Sequence, residues 1–304
     1  MSVTVINKFH GWKPPCNDGS KSVYDTNTGL EVLQVNSLQS LVQALGYLKF
    51  KLSDAGVRVV YRGQTELYSG VDQDGAHYFQ PSALRSVKRT KALNDAKCKI
   101  KEHVAAIRTM IPRFAEKDSL NNYRYSDSII EGLLQQYGIK TTWFDAVDNI
   151  WVALWFACHR SEYPVDVEIS GRNDKRFFIH MIRRDPNAEP RKKRYAYILV
   201  LGVSEKEDEI IDLRCSLPSD FIRPHVQHGL LIRTKNAKSI NMVRLIKGIV
   251  RLKLTDALQW LGQGSILLPE RIVPPPNYDS GFRQLLESES RYDGKCPFRF
   301  PIYC

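Results

Sequence analysis

Apolar residues in the first part of the chain recur with the period of a helix. In residues 36–56 they fall every three or four positions, with Ser37 before the first and Gly56 after the last. A serine before such a pattern and a glycine after it are typical of the two ends of an amphipathic helix. Residues 57–63 are rich in valine, close with a glycine and predict a strand.

The helical period continues in two later segments. Residues 94–116 predict a helix that Pro112 ends or kinks, because proline removes a backbone hydrogen bond and clashes with the preceding turn. Residues 126–138 predict a short helix that is capped by Ser126 or Asp127 and ends at a glycine.

Beyond residue 175 the pattern becomes that of strands. Aromatic and β-branched residues dominate four segments, which are 176–182, 194–202, 209–213 and 241–254. The charged residues 183–194 between the first two segments are expected to form an exposed hairpin loop. Residues 255–262 predict a brief helix.

These elements predict one α+β domain over residues 1–304, because helices cluster in the first half and strands in the second. We expect the helices to pack on a mixed or antiparallel sheet that is formed largely by the second half. Within the domain, residues 1–56 are a helical lead-in, 57–254 the core and 255–304 a C-terminal extension.

Two carboxylates interrupt the most apolar part of the chain, residues 135–157. Asp148 stands directly before Asn149 and an apolar run, and it is expected to cap the helix that this run forms. Asp145 lies three residues earlier, beside Phe144, which is a poor place for a cap. We expect it to be a buried, hydrogen-bonded carboxylate of the kind that marks functional sites, with helix capping as the alternative.

Composition restricts the setting of the protein. Hydrophobic residues make up 43% of the chain and charged residues 25%, as in soluble globular proteins. No apolar run approaches the roughly 20 residues that span a bilayer, and the N-terminal residues lack the features of a signal peptide. We therefore expect a cytoplasmic protein without a membrane partner. The six cysteines are scattered without a Cys-x-x-Cys pair, which predicts free thiols and no metal site.

The net charge of +11 predicts a binding partner, because basic residues recur in several segments rather than in one tail. Such a surface is typical of proteins that bind polyanions. We expect a nucleic acid, RNA or DNA, to bind through five basic residues of the densest segments: Arg191, Lys192, Lys193, Lys235 and Lys238. A solvated basic surface without a partner is the alternative.

Four segments in order resemble the FRG domain family, which is named for a Phe/Tyr-Arg-Gly motif. They are Tyr-Arg-Gly at 61–63, Pro-Ser-Ala-Leu-Arg at 81–85, residues 135–157 and residues 221–232. The third segment matches the family pattern at nine positions: Gln135, Gly138, Thr141, Asp145, Asn149, Ala153, Leu154, Phe156 and Ala157. It departs from the pattern at Gln136, Thr142, Ala146 and Val147. The resemblance covers about residues 57–235 and does not by itself imply a reaction.

A looser resemblance, to ADP-ribosyltransferases of the Arg-Ser-Glu type, does imply one. That family has a strand ending in Tyr-Arg-Gly, a polar strand leading into a helix with Ala-x-x-Phe-Ala, and a strand with Glu/Gln-x-Glu. Residues 59–63, 141–157 and 227–232 follow the same order. The resemblance implies an ADP-ribosyltransferase-like fold with NAD as the substrate. The family's catalytic glutamate falls at Gly229, and Gln227 and His228 are the nearest polar substitutes.

The chemistry of NAD cleavage assigns roles to these residues. Breaking the bond to nicotinamide develops positive charge on a ribose beside a pyrophosphate, so a site needs a cation, a carboxylate and an apolar wall. Arg62 suits the phosphates, with a surface salt bridge as the alternative, and Gly63 lets the backbone approach closely. The candidate catalytic residues are Arg62, Asp145, Gln227 and His228. The candidate NAD-binding residues are Tyr61, Arg62, Gly63, Thr141 and Asn149.

Three functions are open from the sequence. The first is an ADP-ribosyltransferase that modifies RNA or DNA. By the resemblance, it would be a bacterial toxin or phage-defence effector with an antitoxin or chaperone protein as a further partner. The second is a nucleic-acid-binding module without catalysis, which the glycine at position 229 favours. The third is an NAD glycohydrolase, which uses water as the acceptor.

Overall fold

The structure, a computed structural model, describes residues 8–68, 70–71, 77–81, 83, 90–115, 125–162, 167–168, 175–176, 178–235, 241–264, 267–292 and 296–303. Lys238 and most of the Pro-Ser-Ala-Leu-Arg segment at 81–85 lie outside the described residues.

Helices and strands are interspersed along the described chain. The helices are α1 (Leu38–Ser53), α2 (Thr90–Met110), α3 (Pro112–Ala115), α4 (Asp127–Gln136), α5 (Ile150–Cys158), α6 (Leu213–Ser216), α7 (Ile222–Val226), α8 (Leu254–Trp260), α9 (Pro269–Ile272) and α10 (Ser280–Arg291). The strands are β1 (Lys21–Tyr24), β2 (Glu31–Val35), β3 (Arg58–Gln64), β4 (Gly70–Val71), β5 (His77–Tyr78), β6 (Phe144–Val147), β7 (His159–Glu162), β8 (Val167–Glu168), β9 (Lys175–Arg176), β10 (Phe178–Arg183), β11 (Tyr195–Val203), β12 (Asp208–Asp212), β13 (Gly229–Thr234), β14 (Ile246–Lys253) and β15 (Ile302–Tyr303).

An eight-stranded mixed sheet organises the fold, in the order β1-β2-β14-β11-β3-β6-β13-β12. Its pairs are antiparallel except for β14 with β2, which are parallel. The predicted α+β class and mixed sheet are confirmed. The predicted origin of the sheet is wrong, because β1, β2, β3 and β6 all come from the first half of the chain. Three of these strands have only four or five residues, which is too short for a period to reveal them.

Helices cover one face of this sheet. Apolar residues of α1, α5 and α8 pack on β2, β3, β11 and β14 in one cluster. A second cluster joins α2, α4 and α10 beside β13. The other face is buried by chain segments around Phe79 and Met242.

The predicted helix ends are confirmed at the N-terminal helices. The Ser37 side chain accepts from the Ser40 amide at 3.2 Å and caps α1. The chain leaves this helix through Gly56, whose φ of +65° lies in the left-handed region. Helix α2 ends two residues before Pro112, which begins α3. Ser126 caps α4 through a bond from the Ile129 amide.

The predicted hairpin at 183–194 is wrong. These residues connect β10 to β11, and the two strands belong to different sheets. The connection instead folds around buried Arg184, whose Nη1 donates to the carbonyls of Ala157 at 3.0 Å and Tyr195 at 2.8 Å. A guanidinium has five donors, so it can hold together carbonyl groups that a simple turn would expose.

The cysteines of the described chain are free, namely Cys16, Cys98, Cys158, Cys215 and Cys296. Among the described helices, none has both the length and the apolar character that are needed to cross a membrane.

Candidate functional site

A cavity of about 550 Å³ opens between two neighbouring strands of the large sheet. Strands β3 and β6 pair at one position, where Tyr61 is opposite Val147. Next to this position the cavity is lined by residues 61–64 of β3, 145–147 of β6 and 229–230 of β13. Its volume lies within the range of small-molecule sites.

Arg62 and Asp145 form an ion pair at the cavity. Nη1 of Arg62 lies 2.5 Å from one Asp145 carboxylate oxygen and donates to the Asp145 carbonyl at 2.6 Å. The amide of Gln135 donates to the other carboxylate oxygen at 3.0 Å, and the Thr141 hydroxyl donates to the Gln135 amide oxygen. Three positions of the 135–157 segment are therefore joined in one hydrogen-bonded chain to the arginine of Tyr-Arg-Gly.

The prediction that Asp145 is buried is wrong, although it is hydrogen-bonded as expected. Its side chain is 58% exposed, while that of Arg62 is only 13% exposed. The Arg62 guanidinium lies over the Phe144 ring, 4.5 Å from the ring centre. Its Nε is buried and has no acceptor among the described residues. Arg62 thus retains a buried donor beyond the one that Asp145 uses.

Gly63 lines the cavity and also contacts the neighbouring helix α5. A Cβ atom at this position would lie 1.7 Å from the Ala153 carbonyl oxygen and 3.0 Å from the Ala157 nitrogen. These two alanines stand one turn apart on α5, so they face the same strand. The glycine is therefore required by strand–helix packing, whereas the sequence suggested close approach to a ligand.

The helix cap near the site differs from the prediction. Asn149, not Asp148, caps α5, and its Oδ1 accepts from the amides of Trp151 at 2.9 Å and Val152 at 3.4 Å. Both residue types favour this position, so the pattern located it to within one residue. Asn149 does not line the cavity, and neither does Thr141, whose hydroxyl supports Gln135.

Asp148 instead belongs to an ion cluster directly after the end of β6. It lies 2.7 Å from Arg214 and 3.1 Å from Nδ1 of His228. His228, proposed as a catalytic substitute, has a φ of +53° and does not line the cavity. His228 is thus held by Asp148 and lies outside the cavity wall.

Gln227, the other substitute, lines the cavity with both ends of its amide bonded. Its Nε2 donates to the Ile272 carbonyl at 2.7 Å, and its Oε1 accepts from Gln136 at 2.5 Å. Gly229 also lines the cavity. The position at which the resemblance expects a glutamate therefore has no side chain at the cavity wall.

His159 lines the cavity directly after α5, although no sequence pattern singles it out. Its ring stacks on Trp155 with centres 4.0 Å apart, and Nδ1 lies 2.8 Å from the Trp155 carbonyl oxygen. Because a carbonyl only accepts, the hydrogen is on Nδ1 and Nε2 is an acceptor. Burial lowers the pKa of His159 to about 4, so the ring is neutral at pH 7. A single histidine after an apolar run carries no sequence signal.

Acid is expected to destabilise the wild type by about 3 kcal/mol more than a His159→Phe variant between pH 7 and pH 4. The unfolded histidine has a pKa near 6.5 and the folded one about 4, so only the unfolded chain binds a proton in this window. The stability is therefore complete above pH 6.5 and decreases as the pH falls towards 4. Phenylalanine keeps the stack on Trp155 but does not titrate. Urea unfolding at pH 7, 5.5 and 4 measures the difference, and parallel losses in both proteins would contradict the assignment.

The basic turn at residues 191–193 lies near the cavity. Lys193 Nζ pairs with Glu66 at 2.7 Å, and Glu66 directly follows the cavity-lining Thr65. Lys140 and Arg160 are exposed and also line the cavity. Lys235 follows the opposite end of β13, where its Nζ donates to the Glu205 carbonyl. The structure thus places Lys193 beside the site, whereas Lys235 lies at the far end of β13.

Comparison of the chain with known protein families, with curated proteins and with solved structures found no match. Within the described parts of the chain, no group of three or more His, Cys, Asp or Glu residues is placed to hold a metal ion.

Proposed function

We propose that this protein is an NAD-dependent ADP-ribosyltransferase that modifies a nucleic acid. The observation that carries the proposal is the meeting of three distant segments at one cavity. Strand β3 with Tyr-Arg-Gly, β6 with Asp145 and β13 with Gly229 are successive neighbours in the sheet. The resemblance to ADP-ribosyltransferases relates these same three segments to NAD chemistry and supports an ADP-ribosyltransferase-like fold.

The residues at the cavity fit the needs of NAD. The unused Nε donor of Arg62 suits a pyrophosphate oxygen, and Asp145 holds the guanidinium in place while adding negative charge near the ribose. Phe156, Ile179 and Met181 supply an apolar wall for the nicotinamide ring.

In the reaction, the bond between the ribose C1′ and the nicotinamide nitrogen breaks, and its electron pair leaves with nicotinamide. An oxygen or nitrogen of the nucleic acid forms the new bond to C1′ and loses its proton to solvent. Asp145 stabilises the positive charge that develops on the ribose between these events.

Gly229 supports a second candidate, a nucleic-acid-binding module without catalysis. The site has no glutamate at this position, and the amide of Gln227 is held by Gln136 and Ile272. Such a protein would keep the basic surface and lack turnover.

Nicotinamide release separates these functions. Purified protein is incubated with NAD alone, with added RNA and with added DNA, and an Arg62→Ala variant is the control. We expect release that rises with one nucleic acid and is absent in the variant. Release that does not depend on nucleic acid would indicate an NAD glycohydrolase, and nucleic-acid binding without release would indicate the noncatalytic module.

The nucleic-acid part of the proposal predicts a steep dependence of binding on salt. If six or more phosphates are contacted, RNA or DNA affinity should fall about a thousandfold between 50 and 200 mM salt, because bound counterions are released. Changing Arg191, Lys192 and Lys193 to glutamate should weaken this binding and leave NAD affinity unchanged. Affinities across a salt series measure both effects.

A matched control reverses Lys49, Lys51 and Lys206, three exposed residues that do not line the cavity. This variant changes the net charge equally, so it should bind nucleic acid more tightly than the variant at 191–193. A flat salt series would contradict a nucleic-acid acceptor, and equal weakening by both variants would remove residues 191–193 from the interface.

Such an enzyme would be toxic in the cytoplasm that contains its acceptor. The resemblance to toxin and phage-defence effectors therefore extends the proposal to a neutralising antitoxin or chaperone protein.

A further inference from the structure

Gln64 lines the cavity and has a buried amide oxygen that is unpaired among the described residues. The residue is 5% exposed and lines the cavity. Its Oε1 has no hydrogen-bond donor among the described residues. Buried carbonyl oxygens are nearly always paired, so this atom indicates a donor that a ligand supplies.

The other cavity-lining glutamines are not available for this role. Gln135 bonds to Asp145 and Thr141, and the amides of Gln136 and Gln227 bond to each other. Gln227 is held further by the Ile272 carbonyl. Gln64 thus differs from the other three glutamines, because its Oε1 has no donor among the described residues.

Gln64 lies on the same strand as Arg62, the arginine that we propose binds the phosphates. Arg62 and Gln64 are two residues apart on β3, so their side chains leave the same face of the strand, about 7 Å apart. Among the described residues both have an unpaired buried polar atom, a donor Nε on Arg62 and an acceptor Oε1 on Gln64. A ligand that fits both has an anionic part and, a short distance away, a group that donates a hydrogen bond.

We propose that Gln64 recognises the carboxamide of nicotinamide and selects NAD over its acid analogue, nicotinic acid adenine dinucleotide. This inference rests on the proposed function. The carboxamide NH₂ donates to Oε1, whereas the carboxylate of the analogue has no hydrogen to donate and repels the oxygen. Binding of the acid analogue therefore leaves Oε1 unpaired, and the site binds this analogue more weakly than NAD.

The test is calorimetric titration of the full-length protein with each dinucleotide. We expect wild type to bind NAD about tenfold or more tightly than the acid analogue, since a lost buried hydrogen bond has an effect of this order. In Gln64→Met, which keeps the length of the side chain without the acceptor, the ratio of the two affinities should approach one. Gln64→Leu provides a second apolar replacement if the methionine variant does not fold.

Gln136→Met is the matched control, because its amide lines the same cavity but is bonded to Gln227. It should keep the preference for NAD. A preference that survives in both Gln64 variants, or a wild type that favours the acid, would overturn the role of Gln64 and leave the proposed function standing. If wild type binds neither dinucleotide, the proposed function itself fails.

Discussion

Replacing Gly63 by alanine is expected to destabilise the protein by about 3 kcal/mol or more. The added Cβ would lie 1.7 Å from the Ala153 carbonyl oxygen, so α5 or β3 must move. Overpacking of a core usually costs about 1–3 kcal/mol, and a clash with backbone belongs at the upper end because no side chain can rotate away. Thermal and urea unfolding of the purified variant measure the loss.

Gly46→Ala is the control for this substitution. Gly46 lies within α1 with no atom within 4 Å of an added Cβ, and alanine should stabilise the helix by about 0.5–1 kcal/mol. If Gly63→Ala unfolds at the same urea concentration as wild type, the strand–helix contact is not what requires this glycine.

Replacing Arg62 by alanine is expected to abolish NAD binding while the fold survives. The variant loses the guanidinium that we propose binds the phosphates of NAD, and it leaves Asp145 hydrated because that side chain is 58% exposed. A buried partner would have been left as an uncompensated charge, which is far more disruptive. Arg62→Lys should restore little, because an ammonium cannot contact Asp145 and a phosphate with the fixed fork of a guanidinium. Calorimetric titration with NAD and a circular dichroism melt measure binding and fold.

Arg108→Ala separates loss of the site from loss of an ion pair. Arg108 is 15% exposed and pairs at 2.6 Å with Asp127, which is 75% exposed, so the pair closely matches Arg62 and Asp145. Arg108 does not line the cavity, and NAD affinity should persist in this variant. If Arg62→Ala binds NAD as wild type does, Arg62 does not belong to the site.

The Tyr-Arg-Gly segment therefore combines two roles on adjacent residues. Gly63 allows α5 to lie directly on β3, and this contact fixes the strand from which Arg62 and Gln64 project. The same close approach explains the alanines at positions 153 and 157, since larger residues would hold the helix away from the strand. A packing motif and a candidate ligand site are thus encoded together.

Local patterns predicted the elements whose signal lies within one segment. Helices α1 and α4 agree with their period and caps because backbone hydrogen bonds of a helix join residues four apart. The pattern predicts a cap at position 148, whereas Asn149 provides it, because the two neighbours have equal preference and only packing decides between them. Residues 183–194 were expected to form a hairpin, since nothing in that segment shows that β10 and β11 join different sheets.

The α+β class, the main helices, the strand that ends in Tyr-Arg-Gly and the basic character of the chain follow from the amino-acid sequence alone. Which of the candidate residues meet depends on the tertiary fold. Arg62 and Asp145 are 83 residues apart and become partners through sheet neighbours, whereas His228, one residue before Gly229, is drawn to Asp148. Likewise, the fold leaves Oε1 of Gln64 without a hydrogen-bond donor among the described residues. The periodicity of a sequence reflects contacts within one segment, whereas a site depends on which distant segments become neighbours in the sheet.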